Sequence, residues 1–200
     1  MSMLKKQIVS KVTMIGSGQA GKTSILLRLI DDTFNKDCEP TIFENKMITI
    51  VVEQVPISLH IWDTAGQEDF NSIIPLTYES TEIAIICYSV DDAYSYEAVT
   101  EKWENEVRYY SENVEIVLVA TKIDLRNDGK ASCLETEDGR RLAKQINAIA
   151  FFECSAKDSI GIPEIFNFVA KHIYAKKVVN QPAKSKKKKG FFHALFQKCC

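Results

Sequence analysis

Histidine is scarce, with three residues in 200, and the six cysteines fall at no spacing that a disulfide framework or a zinc site uses. Their scarcity and placement set aside a stapled scaffold and predict a protein of a reducing, intracellular compartment without a structural metal. Cys87 and Cys154 lie in or beside apolar stretches and read as small buried hydrophobes. Long apolar runs are missing as well. The longest, IAIICYSV from Ile83, is far too short to cross a bilayer. The apolar stretch near the N-terminus leads into a glycine loop and not a cleavage site, so no signal peptide is expected. Acid is missing from one end: from Lys176 onward there are eight lysines and no Asp or Glu. That leaves 17 basic and 27 acidic side chains in the first 175 residues, a net charge of −10. An acidic body lacks the positive surface that phosphate backbones require, so no nucleic-acid partner is expected. A basic tail suits an anionic membrane face.

What is present alternates. KVTMIG reads as a β-branched strand ending in glycine, and KTSILLRLIDD follows with helical spacing. MITIVVEQVPISLHIWD reads as two strands around a short turn containing Pro56. IAIICYSV and EIVLVATK are continuous apolar runs, expected of strands covered on both faces. SYEAVTEKWENEVRYYS places Val99, Trp103 and Val107 on one helical face. ETEDGRRLAKQI is an amphipathic helix starting near Glu135 or Thr136. AIAFFEC is a last strand, and IPEIFNFVAKHIYAKK a last helix with Pro163 in its first turn. The βαβ alternation predicts an α/β fold, a six-stranded, mostly parallel sheet with helices on both faces; the glycine-rich loop after its first strand, GSGQAGKT, makes the expected fold the P-loop NTPase type. One domain over residues 1–176 and a flexible basic tail over 177–200 are expected, with Gln181-Pro182 near the start of the tail.

The first strand runs into GSGQAGKT, residues Gly16, Ser17, Gly18, Gln19, Ala20, Gly21, Lys22 and Thr23, the pattern G-x-x-x-x-G-K-[ST]. Glycines let backbone N–H groups turn inward around a phosphate, and the following helix N-terminus adds partial positive charge. Lys22 can reach the β- and γ-phosphates, and the Thr23 hydroxyl can serve Mg²⁺, a cation of hard oxygen ligands. WDTAGQEDF, from Trp62, follows an apolar strand. Asp63 can hold the Mg²⁺ shell through water, Gly66 can offer its N–H to a γ-phosphate, and Gln67 can orient an attacking water. In TKID, the Asp124 carboxylate can accept both N1–H and the 2-amino group of guanine, a donor pair that adenine lacks. Lys122 can lay its methylenes along the base edge. In CSAK, from Cys154, the N–H of Ala156 can donate to guanine O6 and the Lys157 stem can pack on the base. All four strings close strands, where ligands bind in open α/β sheets.

This constellation resembles the Ras superfamily of small GTPases, over essentially the whole chain to about Lys176. PTIFEN from Pro40, WDTAGQEDF, the PLTY stretch from Pro75 and TKIDLRND, with Thr121 in place of the usual asparagine, look most like its Rho branch. The resemblance implies that Thr41 joins Mg²⁺ only when a γ-phosphate is present, that Phe34 packs on the guanine edge, and that Gly18 leaves room for an arginine finger. Ser24, Leu125 and Ser155 complete the nucleotide-binding set, and Gln67, Lys22 and Thr41 the catalytic one. It also implies a switch with GTP or GDP and Mg²⁺ as ligands, loops at roughly 34–45 and 64–78 that order around GTP, and slow hydrolysis accelerated by an activating protein. The implied partners are an exchange factor, a GTPase-activating protein, a GDP-dissociation inhibitor or prenyl-binding chaperone, and effectors such as kinases or actin regulators.

Three departures qualify the likeness. Cys38 stands where Rho proteins usually place a tyrosine over the phosphates, which predicts a more open site. Ser155 lies 31 positions after Asp124, a shorter separation than the Rho pattern with its helical insert. The chain ends in Cys199-Cys200, which looks like the Rab pattern, one that receives two geranylgeranyl groups, where Rho proteins end C-a-a-X. Each lysine near an anionic leaflet contributes about 1 kcal/mol, and two lipid signals give stable anchoring. Phe191, Phe192, Leu195 and Phe196 can add an apolar face. The cytoplasmic face of membranes, the plasma membrane first, and the cytosol are the expected locations; a nuclear-targeting reading of the lysines stays open. Two rival functions remain: a P-loop kinase for a small substrate, which predicts ATP preference, and a GTP-bound scaffold without turnover.

Overall fold

The structure is a computed structural model that describes residues 6–35, 43–64, 77–127 and 133–179. Six strands form one sheet in the order β2-β3-β1-β4-β5-β6: β1 Ile8–Ile15, β2 Phe43–Val52, β3 Val55–Thr64, β4 Ile83–Ser89, β5 Glu115–Thr121 and β6 Ala150–Glu153. Every neighbouring pair is parallel except β2 and β3. The helices are α1 Lys22–Asp31, α2 Ala93–Ala98, α3 Glu104–Tyr110, α4 Thr136–Gln145 and α5 Ile162–Tyr174. This is the expected mostly parallel α/β sheet.

Period-two alternation explains why β4 reads as an unbroken apolar run. Ile83, Ile85 and Cys87 join a core with α1 and α5, where Ile25, Phe166, Val169 and Ile173 are buried. Ala84, Ile86 and Tyr88 join a second core on the opposite face, with Val99, Trp103, Val107 and Leu142. A central strand thus favours apolar side chains at both parities. Cys87 and Cys154 are both buried, and burial pushes the Cys87 thiol up to about 12. Both behave as packing residues, as expected.

Two local features depart from the sequence reading. The β2–β3 turn is made by Glu53 and Gln54, with φ of 48° and 64°, the signs that a tight two-residue hairpin demands. Pro56 lies beyond it, as the second residue of β3 opposite Val51. Pairing of β3 with β1 begins one residue later, at Ile57, so the missing proline N–H falls at the margin of the ladder. The helix carrying Val99, Trp103 and Val107 is interrupted: a π-helical turn, Val99–Trp103, separates α2 from α3. Val99, Trp103 and Val107 still share the second core, and the turn delivers the indole N–H of Trp103 to Ser17 Oγ at 3.4 Å.

α4 opens at Glu135, whose N–H donates to Asp138 Oδ2 at 2.9 Å, and α5 opens with Pro163 in its first turn. A π-helical turn, Ala175–Val179, carries the chain past α5. There Lys176 pairs with Glu115 at 2.7 Å and Lys177 with Glu82 at 2.6 Å, so two of the eight terminal lysines are engaged by the acidic body. No described helix is long and apolar enough to cross a membrane.

Candidate nucleotide site

β1 lies at the middle of the sheet, between β3 and β4, so the loop after it opens at the point where chain direction along the sheet reverses. Gly16 has φ +140°, and a Cβ there would lie 2.2 Å from the Cys87 carbonyl oxygen. Only glycine lets the chain leave β1 so close to β4. Lys22 opens α1 and folds back over the loop: its Nζ donates to the carbonyls of Gly16 at 2.8 Å and Ser17 at 2.9 Å. Burial lowers the ammonium pKa, and the nearby Asp63 and Cys87 partly oppose that. These two bonds stitch the start of the loop to the first residue of α1. Gln19, at the loop tip, is exposed and left-handed at φ 62°. Gly18 is half-buried and Ala20 buried.

Thr23 and Asp63, 40 residues apart, meet beside this loop, with Thr23 Oγ1 donating to Asp63 Oδ2 at 2.6 Å. Asp63 is 0% exposed, and its Oδ1 is buried with no hydrogen-bond partner among the described residues. Burial pushes its carboxyl up to about 6, against the bond from Thr23 and the charge of Lys22. An orphaned buried carboxylate oxygen beside a hydroxyl is a hard-oxygen donor set, and it fits Mg²⁺. Ser24 follows on α1, half-buried.

The third group stands at the ends of β5 and β6. Asp124, 8% exposed, sits in a short 3₁₀ turn, Ile123–Arg126, that also holds Leu125. Ser155 Oγ donates to Asp124 Oδ1 at 2.6 Å, and Lys157 Nζ lies 3.7 Å from Oδ2. Lys122 is left-handed at φ 58°, with its ammonium 3.8 Å from Asp91. Thr121 ties the group to the phosphate loop: its Oγ1 lies 2.9 Å from the Ala20 carbonyl and 3.1 Å from that of Tyr88. Thr121→Val keeps the shape and leaves two buried carbonyls without this donor. We expect a loss of about 1–2 kcal/mol in urea unfolding and a few-fold faster nucleotide release.

The expected residues of the phosphate loop, Asp63, and the 121–125 and 155–157 strings therefore converge at the C-terminal ends of β1, β3, β5 and β6. Phe34 lies just past the end of α1, 39% exposed. Thr41, Gly66, Gln67 and Cys38 fall outside the described residues, as do Pro75 and the terminal Cys199 and Cys200. Two participants were not anticipated. Trp103 reaches Ser17 from the π-helical turn, and Arg28 reaches the 156–157 backbone from α1. Trp103 carried only a core signal in the sequence; nothing local pairs Arg28 with a loop 128 residues away.

A strand, a lysine-stitched glycine loop and a helix, with an acid at the end of the neighbouring strand, make this a P-loop nucleotide-binding fold. Residues 11–175 match the Ras family, and the chain belongs to that family. It is thus a small GTP-binding switch protein of a family whose members are generally GTP hydrolases and usually take Mg²⁺.

Proposed function

We propose that this protein is a slow GTPase that cycles between an effector-binding GTP state and an inactive GDP state, in Rho-like signalling to the actin cytoskeleton. The observation that carries the guanine reading is Asp124, buried, aimed by Ser155 at 2.6 Å and joined through Thr121 to the phosphate loop. The Rho-like part is supported by PTIFEN, PLTY and TKIDLRND in the sequence. A Rab-like trafficking role is the second reading, favoured by Cys199-Cys200. ATP-dependent kinase chemistry ranks below both, since a carboxylate at Asp124 suits guanine.

In this reading the Gly16–Thr23 loop cradles the phosphates, and Lys22 holds the loop while its charge faces the β- and γ-phosphates. Thr23 and Thr41 would hold Mg²⁺ directly and Asp63 through water, and the ion when bound would supply positive charge against the phosphates. Gln67 orients water in line with the γ-phosphate, and Gly66 and Thr41 tether the two loops to it. Residues 1–176 form the switch, and the tail, lipidated at Cys199 and Cys200, holds it to the cytoplasmic face of an anionic membrane. Turnover alone is on the order of 10⁻⁴ to 10⁻³ s⁻¹, leaving timing to an activating protein, and reloading to an exchange factor.

The test is single-turnover hydrolysis of bound GTP with Mg²⁺, in parent and Gln67→Leu. The variant should retain its GTP about tenfold longer or more. Equal rates, alone and with an activating protein, would remove Gln67 from the mechanism. Expressed in cells that naturally make the protein, the same variant should rearrange actin. A redistribution of vesicles with unchanged actin favours the Rab-like reading. The mass of the C-terminal peptide from membranes tests the anchor: two geranylgeranyl groups, one lipid, or none.

A further inference from the structure

Arg28 projects from α1 with its side chain 16% exposed. Its Nε donates to the Ala156 carbonyl at 2.8 Å, and one terminal nitrogen to the Lys157 carbonyl at 3.4 Å. The other terminal nitrogen donates to the Asp32 carbonyl at 2.9 Å and its carboxylate at 3.1 Å. Asp32 is the left-handed cap that ends α1, at φ 52°. One planar, permanently charged group therefore joins the loop after β6 to the point where the chain leaves α1 toward Phe34.

This grip has a direction. In a trans peptide the C=O and the following N–H point to opposite sides. Drawing the Ala156 carbonyl toward α1 turns the Lys157 N–H away from α1 and pins Ala156, whose own N–H is the expected O6 donor, at its other side. Drawing the Lys157 carbonyl the same way turns the Asp158 N–H inward, where it donates to Ser155 Oγ at 3.0 Å. That hydroxyl in turn aims Asp124. Arg28 thus acts on the base loop from behind, through backbone, and its charge strengthens each bond.

We propose that Arg28 is a positioning residue for the purine O6 edge: it clamps the 155–158 loop to α1 and so sets how long a guanine nucleotide stays bound. The proposal rests on the reading that Asp124 and the 154–157 loop take the guanine base.

The test is release of fluorescent GDP, IDP and 6-thio-GDP from Mg²⁺-loaded full-length protein. IDP lacks the 2-amino group that faces Asp124; 6-thio-GDP keeps that group and replaces O6 with a poor acceptor. Arg28→Ala should speed GDP and IDP release by the same factor, about tenfold. It should speed 6-thio-GDP release by clearly less, because the O6 bond is already weak there. Arg28→Lys, with a single point donor, should lie between parent and Arg28→Ala. GDP release within twofold of parent overturns the proposal. So does equal acceleration of all three nucleotides, which marks general loosening. If Arg28→Ala does not fold, Arg28→Lys carries the same ordering with smaller factors, and parental release of all three overturns it. Asp124→Asn, run alongside, separates the two readings. If it fails to move preference from GDP to XDP, the base assignment is wrong. If it succeeds while the Arg28 variants release like parent, the Arg28 inference fails alone.

Discussion

Asp124→Asn should lower affinity for GDP by about 10³-fold or more and raise affinity for XDP. Guanine presents two adjacent N–H donors, and a carboxylate with two acceptor oxygens matches both. A carboxamide presents one oxygen and one NH₂, so one guanine donor meets another donor in a site with little water. Asp124 is 8% exposed, which makes that mismatch expensive. Xanthine carries a carbonyl where guanine carries its amino group, and there the carboxamide matches: NH₂ to the carbonyl, oxygen to N1–H. The Ser155 hydroxyl, 2.6 Å from Oδ1, can donate equally to an asparagine oxygen, so the side chain should keep its orientation. The experiment is displacement of labelled GDP by unlabelled GDP or XDP. Unchanged GDP affinity would mean that the base does not reach Asp124. Lost affinity for both would mean that the asparagine disturbs the loop.

How much of this was legible in the sequence depends on how local each feature is. The phosphate loop could be read because all its parts lie within eight consecutive residues, and the structure places Lys22 on the Gly16 and Ser17 carbonyls. The two-sided burial of β4 could be read because its side chains from Ile83 to Cys87 are apolar at both parities, one set for each core. Thr121 stands in the sequence as a Rho-like mark in place of asparagine, but its bonds to Ala20 and Tyr88 depend on β5 lying next to β4 beneath the loop. Pro56 misled because proline favours turns. The Glu53-Gln54 pair makes the turn with positive φ in two non-glycine residues, a cost that side-chain patterning does not display. Arg28 could not be found at all. An arginine on an amphipathic helix reads as solvated, and its partners are backbone carbonyls, which every residue has.

The Thr23–Asp63 pair yields effects of opposite sign on stability and function. Asp63 is fully buried, with its carboxyl pushed up to about 6 chiefly by desolvation. In protein stripped of Mg²⁺ with EDTA, above pH 6, the folded state holds a buried anion that the unfolded chain keeps in water. One pKa unit corresponds to about 1.4 kcal/mol, so the penalty is on the order of 3 kcal/mol at most. Asp63→Asn removes it and should raise the melting temperature in EDTA at pH 7.5. As pH falls through 6, the parent takes up a proton in its folded state first, so it gains stability relative to the variant. The difference should shrink as pH falls from 6 toward 4 and be gone below about pH 3, where the carboxyl is protonated in both states. With Mg²⁺ the sign reverses. The ion favours the carboxylate that burial opposes, and the variant has no anion to offer its water shell. Mg²⁺ affinity, read from the cation dependence of GDP release, should fall 10- to 100-fold. A variant less stable than parent in EDTA at pH 7.5 would show that the Thr23 bond and the Lys22 charge outweigh desolvation. Unchanged Mg²⁺ dependence would separate Asp63 from the metal.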